Sequence, residues 1–405
     1  MHPTPSATPA SQRNVLRGAI FIMATSSIGP AFLTQTSLFT EKYLASFAFA
    51  IVISLLIDIG AQLNIWRVIT VANLRGQDVA NRVIPGMGHL ISAFIVLGGI
   101  AFNIGNIGGA GLAMNVIFGI PPVIGSLIAA VLIIGIFLLR NAKGVMDSIM
   151  QVLGLAMLCM IGYAMLQSNP PLMEAVSRSF NPDDPLILLL PIVTLVGGTV
   201  GGYISFSGGH RLVEAGITGV QNVGVVTRAA VIGIATTGVV RICLFLAALG
   251  VVSQGLSLDP ANPAASVFSH SMGTIGYKMF GIVLLAASVS SVIGAAYTSV
   301  SFMYSLHESI QRHNQRMVIA FIACSTLIYS LVGQPVKVLV VAGTLNALVL
   351  PLALACILWA AKKPNIVGNE YRHPTWMLVF GLLAMVATAV GVVMSFNAFV
   401  QFWQS

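Results

Sequence analysis

The 405-residue chain reads as an all-α, polytopic membrane protein. Three observations predict this. Hydrophobic residues make up 57% of the sequence and charged residues 7%, against roughly 45–50% and 25% in soluble domains. The apolar residues fall in runs of about 20, the length an α-helix needs to cross a bilayer. The charges sit in short breaks between those runs, and so few could not coat a soluble globule.

Reading the runs in order predicts eleven spans. They lie near Val15–Thr36, Ser46–Ile69, His89–Ile117, Val123–Leu139, Met146–Leu166 and Leu186–Gly209, then near Thr227–Val252, Lys278–Tyr304, Met317–Val332, Lys337–Ala360 and Trp376–Phe396. Residues 1–12, MHPTPSATPASQ, are polar and expected to be a disordered cytoplasmic tail. No short apolar segment with a small-residue cleavage site follows, so no removable signal peptide is expected. With the N-terminus inside, the inner segments hold 14 of the 19 Lys and Arg residues and the outer segments 4, while Arg241 falls within the seventh span. Positive charge is retained on the cytoplasmic side. The expectation is therefore a bacterial-type inner membrane protein with the N-terminus inside and the C-terminus outside.

Two spans contain what a continuous helix avoids. The first carries Thr25, Ser26, Ser27, Ile28, Gly29 and Pro30 in mid-span. Proline removes a backbone donor there, and glycine permits angles closed to other residues. The sixth, VGGTVGGYISFSGGH, holds Gly197, Gly198, Gly201, Gly202, Gly208 and Gly209. Either feature alone fits a proline kink or close helix packing through small residues. Their matched places in two halves of five spans point instead to an inverted-repeat transporter with its site at mid-membrane. Breaks are expected around Ser26–Ala31 and Thr199–Phe206.

The run GNIGGAGLAMNVIFGIPPVIGSLI in the third and fourth spans resembles a motif of the natural resistance-associated macrophage protein family of divalent-metal transporters. LLAASVSSVIGAAYTSV in the eighth span and LNALVLPLALACIL in the tenth resemble two more. The resemblance covers most of residues 15–360. It implies a leucine-transporter-type 5+5 inverted repeat with broken first and sixth helices: residues 13–170 as one repeat, 180–361 as the second, and 374–400 as an additional eleventh helix. The family's metal-binding Asp-Pro-Gly-Asn falls on Gly29, Pro30, Ala31 and Phe32. Its sixth-span methionine and histidine fall on Gly201 and Tyr203, its third-span acids on Asn103 and Asn106, and a tenth-span glutamine on Gly343. The scaffold is kept while the metal-site chemistry is absent, so no metal ligand is assigned.

A transition metal needs imidazole, sulfur or carboxylate ligands, and Mg²⁺ needs carboxylate or ordered water. The expected pocket offers Thr25, Ser26, Ser27, Tyr203, Ser205, Ser207, the backbone around Gly202 and an aromatic wall at Phe32. Half-helix N-termini favour a carboxylate. Resemblance to related transporters suggests 5-oxoproline or a similar amino-acid-derived carboxylate, with divalent-metal transport as the alternative. No cofactor is expected, and one copy of the chain suffices to build such a site.

Few ionisable groups remain inside the spans. Asp58 is expected to serve as a structural partner or in proton coupling, and Arg241 to pair with a carboxylate or to contact substrate. His210, Arg211 and Glu214 read as a gate-like inner end of the sixth span, and His307, Glu308 and Arg312 as a cytoplasmic ion-pair cluster. Asp147 reads as a helix start. Cys159, Cys243, Cys324 and Cys356 lie apart in apolar runs without metal spacing. The net charge of +8 is spread over loops, without the basic helix or aromatic interleaving of a nucleic-acid binder. No G-x-S-x-G or H-E-x-x-H occurs, so an enzyme is not expected.

Overall fold

The computed structural model describes residues 27–138, 142–305 and 308–404, with the backbone only for residues 142–151, 305, 308 and 403. The polar tail, Thr25, Ser26, Arg13, Arg17, Arg140 and His307 lie outside the described residues, as do the side chains of Lys143, Asp147 and Glu308.

Among the described residues every regular element is helical. Helix α1 (Pro30–Tyr43) passes through a 3-10 turn at Leu44–Ser46 into α2 (Phe47–Ala72). Short α3 (Gly76–Val83) precedes α4 (Met87–Phe118), α5 (Pro122–Leu138) and α6 (Ala142–Gln167). Helix α7 (Leu172–Arg178) turns away from the end of α6 by 107°. The sixth predicted span is two helices, α8 (Leu189–Thr199) and α9 (Ile204–Glu214). Then come α10 (Val223–Ser253), α11 (Pro263–Phe302), α12 (Glu308–Arg312), α13 (Asn314–Val332), α14 (Pro335–Ala360), α15 (Pro364–Val367) and α16 (Thr375–Gln404).

The boundaries follow from local chemistry. Pro30, Pro263 and Pro335 each open a helix, at the position where a missing N–H costs nothing. Gly119 and Gly333 close α4 and α13 with φ of 76° and 65°, a left-handed cap that suits glycine. Helix α11 begins at Pro263, well before the predicted Lys278, because the Asn262 side chain accepts from the Ala265 N–H and caps it. Its first stretch is rich in Ser, His and Gly, so hydropathy alone does not see it; Gly273, with φ of 65°, interrupts the helix there.

Among the described residues eight helical runs are long and apolar enough to cross a membrane, or nine with the bent α6–α7 pair. Helices α1 and α2 form one of these runs, and α5, at Pro122–Leu138, falls just short of the length. Separating α1 from α2 and including α5 and the bent pair gives eleven segments; the first of them, α1, overlaps the predicted Val15–Thr36 only from Pro30 on, the earlier part lying outside the described residues. The α8–α9 window is 94% buried and the α16 window 28%, so the interrupted span is core and the last helix peripheral.

Glycines allow the closest approaches. A Cβ on Gly197 would overlap the Gly343 carbonyl of α14, and one on Gly208 would overlap the Trp66 ring of α2. The Trp66 indole then donates to the Ser205 carbonyl at 2.8 Å, tying α9 to α2. The glycine-rich span thus uses its small residues both for a break and for close packing.

The segment leading into α16 is held by a polar latch. Tyr371 Oη and His373 Nδ1 are 2.8 Å apart, as are His373 Nε2 and Asn64 Oδ1. Asn64 Nδ2 donates onward to the carbonyls of Gly60 and Met377. The network is satisfied when neutral His373 carries its proton on Nε2 and accepts from Tyr371. Burial, with Arg67 close by, pushes His373 down from 6.5 to about 4. A depressed pKa on a base means that the folded state resists protonation. The latch's contribution is complete above about pH 6.5 and is lost as pH falls towards about 4. The stability advantage of the wild type over His373→Gln is therefore expected to shrink across that window. Paired thermal unfolding curves in detergent at stepped pH measure it, and an advantage constant with pH would rule the latch out.

Candidate functional site

The two breaks meet in the bundle core. At the first, Gly29 is extended (φ −105°, ψ −171°) and α1 starts at Pro30 without a side-chain cap. Proline supplies no N–H, so the first-turn donors of Ala31 and Phe32 have no intrahelical acceptor; the Leu33 N–H reaches the Gly29 carbonyl at 3.2 Å. Gly29 lies against α11 and α4: a Cβ there would stand 2.7 Å from Ser291 Oγ and 3.8 Å from Asn106 Oδ1. Ser27 Oγ donates to the Thr199 carbonyl at 3.3 Å, bridging the first break to the second.

At the second break α8 ends at Thr199 and α9 begins after Tyr203. Gly202 has φ of +55°, and a Cβ there would overlap Asn346 Oδ1 of α14. Asn346 Nδ2 donates to the carbonyls of Gly98 and Ala342 at 3.1 and 2.8 Å, while its Oδ1 has no partner among the described residues. Gly201 donates to the Val196 carbonyl at 3.0 Å, and a Cβ on it would meet the Gly197 carbonyl at 2.5 Å. A longer side chain in this backbone position has no room.

The predicted site residues separate into groups. Ser27, Gly29, Pro30, Ala31, Phe32, Gly201, Gly202 and Tyr203 lie at the two breaks and are buried. Ser205 and Ser207 are buried beside them, but their hydroxyl protons are committed to the carbonyls of Val200 and Ile204. Asn106 faces Gly29 and lies near the Tyr203 hydroxyl; its two side-chain polar atoms and Tyr203 Oη are buried without a closed hydrogen bond. Asn103 points elsewhere, donating to Ser325 Oγ on α13 at 3.3 Å. Gly343 leaves space for Gln35 of α1, whose Nε2 would be 2.6 Å from a Cβ at that position. Gln35 Nε2 donates to the Leu339 carbonyl of α14 at 2.7 Å.

Asp58 of α2 and Arg241 of α10 are both fully buried. Arg241 Nη1 donates to Thr199 Oγ1 at 3.0 Å, and its guanidinium carbon sits 4.3 Å from the Phe32 ring centroid. Arg241 and Asp58 attract each other electrostatically and Asp58 lies near the Thr199 hydroxyl as well, yet neither Asp58 oxygen closes a hydrogen bond among the described residues. The gate-like residues sit apart from this cluster. Gly76 N–H donates to His210 Nε2 at 3.0 Å, and Arg75 pairs with Glu214 at 3.4 Å. The rings of Phe206, His210 and Phe302 pack at 5.1–5.7 Å, closing that end of α9.

Sequence reading missed Gln35, Ser291 and Asn346 and did not count Thr199 among the ligand-facing residues. Gln35 and Ser291 stand among other Ser and Thr residues and Asn346 close after Thr344 in an apolar stretch, and no spacing distinguishes them from the polar residues bonded to their own helix carbonyls. Among the described residues no three His, Cys, Asp or Glu side chains come together as a metal cluster would require.

Two half-helix ends meeting in the core of an all-helical bundle define a membrane transporter of the leucine-transporter-type fold. A mutant form of the manganese transporter of Eremococcus coleocola shares this fold at TM-score 0.75 and 16% identity, over 99% of this chain and 90% of that one. MhsT in complex with L-phenylalanine shares it at TM-score 0.67 and 16% identity, over 94% and 98%. The description "natural resistance-associated macrophage protein-like" matches residues 20–397, and the chain belongs to that family, whose members are transporters and not enzymes. It is 51% identical to the uncharacterized membrane protein YcsG of Bacillus subtilis (strain 168), over 94% of each chain. It is 50% identical to an uncharacterized membrane protein of Haemophilus influenzae, over 95% of this chain and 96% of that one.

The second break depends on Gly202. Any other residue there must adopt a left-handed conformation costing about 1–2 kcal/mol and must displace the Asn346 side chain. Gly202→Ala is expected to lower the unfolding temperature in detergent. Asn346→Ala in the same chain should recover the steric part alone. Full stability of the single variant would mean that the break is not held as described.

Proposed function

We propose that the chain is a secondary active transporter carrying a small organic anion, 5-oxoproline or a similar amino-acid-derived carboxylate, by alternating access and in symport with protons. It works in a bacterial inner membrane with its N-terminus inside, its two five-helix repeats spanning residues 13–170 and 180–361. One observation carries the substrate reading: the fixed charge where the two breaks meet is the Arg241 guanidinium. The positions matching the family's metal ligands hold Gly29, Phe32, Gly201 and Tyr203. A divalent cation placed there would find no anionic ligand at those four positions, and the one carboxylate nearby, Asp58, is already balanced by the Arg241 guanidinium, so the cation's charge would stay uncompensated in a low-dielectric interior. An anion meets the reverse: a guanidinium, the free N–H groups at the start of α1, and the hydroxyls of Tyr203 and Ser291, which have no partner among the described residues. Phe32 and Phe102, whose ring lies edge-on to Tyr203 at 5.7 Å, supply apolar wall for a ring or short chain. Small-molecule sites have this composition, a few placed polar groups on an apolar surface.

Transport of a divalent metal is the second reading, favoured by family membership and by the manganese transporters that share the fold. Reconstituted protein distinguishes the two. We expect thermal stabilisation by 5-oxoproline or another small carboxylate, and no saturable uptake of Mn²⁺, Fe²⁺ or Cd²⁺ into liposomes. A ligand that binds only the folded protein stabilises it by about 2.7 kcal/mol at roughly a hundredfold excess over Kd. Gly29→Asp with Phe32→Asn, which adds a negative charge and removes apolar surface, should abolish the carboxylate shift. Specific stabilisation by a divalent cation, with none by any carboxylate, would overturn the organic-anion reading.

A further inference from the structure

The unpartnered atoms of Arg241 are not randomly placed. Its Nη1 is used by Thr199 Oγ1, while Nε and Nη2 are buried without a partner among the described residues. Those two nitrogens form one edge of the guanidinium fork, which binds a carboxylate with two parallel hydrogen bonds. Among the described residues Asp58 is the acid in electrostatic contact with it, and no Asp58 oxygen fills that edge. The ion pairs within 4.0 Å among the described residues are Arg75–Glu214 and Arg178–Asp183. A structural pair in this setting would be expected to close, because unfilled donors and acceptors inside a protein are costly. Here the guanidinium is held from its other side by Thr199 and from its face by Phe32, with the carboxylate-binding edge left open. The pair sits where the C-terminus of α8, favourable to a cation, approaches the N-terminus of α1, favourable to an anion.

We propose that Arg241 binds the substrate's carboxylate through its Nε–Nη2 edge, and that Asp58, thereby displaced as counterion, takes up one proton for each carboxylate bound. The inference rests on the organic-anion reading above and adds the anchoring residue and the stoichiometry. In the empty site the charges of Arg241 and Asp58 cancel. When the carboxylate arrives with Asp58 still ionised, one net negative charge is left in the interior, where an uncompensated charge is strongly disfavoured. A proton from the outer solution bound at an Asp58 oxygen removes it, and its loss to the inner solution returns Asp58 to Arg241 and expels the anion. Among the described residues no other charged group can take this role at mid-membrane. Helices α8, α15 and α16 carry none. The remaining charged groups and histidines on helices against α2 all lie within two turns of a helix end: Glu41 and Lys42, Asp78 and Arg82, Glu174 and Arg178, His210, Arg211 and Glu214, Arg228, and Lys337. The other titratable side chains on those helices, Tyr43, Cys243 and Cys356, are neutral acids that supply no counterion to a guanidinium. Arg67 on α2 itself also lies there.

The test compares 5-oxoproline and a panel of small carboxylates with their uncharged primary amides, by thermal shift and by flux into liposomes. The wild type should be stabilised by a carboxylate and far less by its amide. The double variant Asp58→Asn, Arg241→Gln removes both buried charges together, so it keeps the core neutral and is expected to fold. It should bind the carboxylate about a hundredfold more weakly, the loss expected for a charge-assisted pair, and should no longer distinguish acid from amide. Asp58→Asn alone should bind the carboxylate more tightly than the wild type, exchange it across the membrane, and lose the accompanying proton uptake. A double variant that binds the carboxylate as the wild type does, and still prefers it to the amide, overturns the role of Arg241. Undiminished proton uptake in Asp58→Asn overturns the counterion exchange. In both cases the organic-anion reading survives. A wild type that responds to no carboxylate removes that reading and this inference together.

Discussion

Unwound backbone inside a membrane has to find its hydrogen bonds in protein, since lipid offers none. Much of this fold can be read as the answer to that constraint at two places. The span holding the second break is almost wholly enclosed, with α2, α14 and α16 packed around it. Its loose ends are taken up locally: Gly201 bonds back to Val196, and Val200 accepts from Ser205. They are also taken up across the bundle, where Ser27 reaches Thr199 and Trp66 reaches Ser205. Peripheral helices such as α16 need no such help and face outward.

The same constraint explains why small residues concentrate here. Gly197 and Gly343 bring α8 and α14 into backbone contact, and Gly109 leaves room for the Pro30 ring. Close approach places the two half-helix ends near each other and encloses Phe32, Tyr203 and Arg241. Three of the positions singled out by the family resemblance are tightly packed. Gly201 has no space for a side chain, a Cβ on Gly29 would crowd Ser291, and Gly343 leaves room for Gln35.

A buried guanidinium is held in place by several weak terms rather than one strong bond. A hydroxyl, an aromatic face and a carboxylate that closes no hydrogen bond with it offset its desolvation without saturating it. Such partial satisfaction suits a group whose partner comes and goes, whereas a closed bidentate ion pair would have to break at each cycle. The two ends of the molecule behave differently. His210, Phe206 and Phe302 pack as rings, and the Arg75–Glu214 pair stands half-exposed at the rim, where a salt bridge contributes little and can open readily.

The sequence by itself determined the class, the helices and the location of the breaks. Length and apolarity of a span are local properties, and a proline or a glycine cluster disrupts a helix wherever the chain later goes. The motifs of the third, fourth, eighth and tenth spans carried the family resemblance, because they encode close helix contacts that tolerate little change. Only the tertiary structure decided which polar residues face the breaks. Asn103 and Asn106 look equivalent in sequence, yet one turns to α13 and the other to Gly29. Gln35, Ser291 and Asn346 carry no spacing signal, and Asp58 and Arg241 are 183 positions apart (241 minus 58). Whether two distant side chains share a low-dielectric interior depends on helix rotation and packing, which no local pattern specifies.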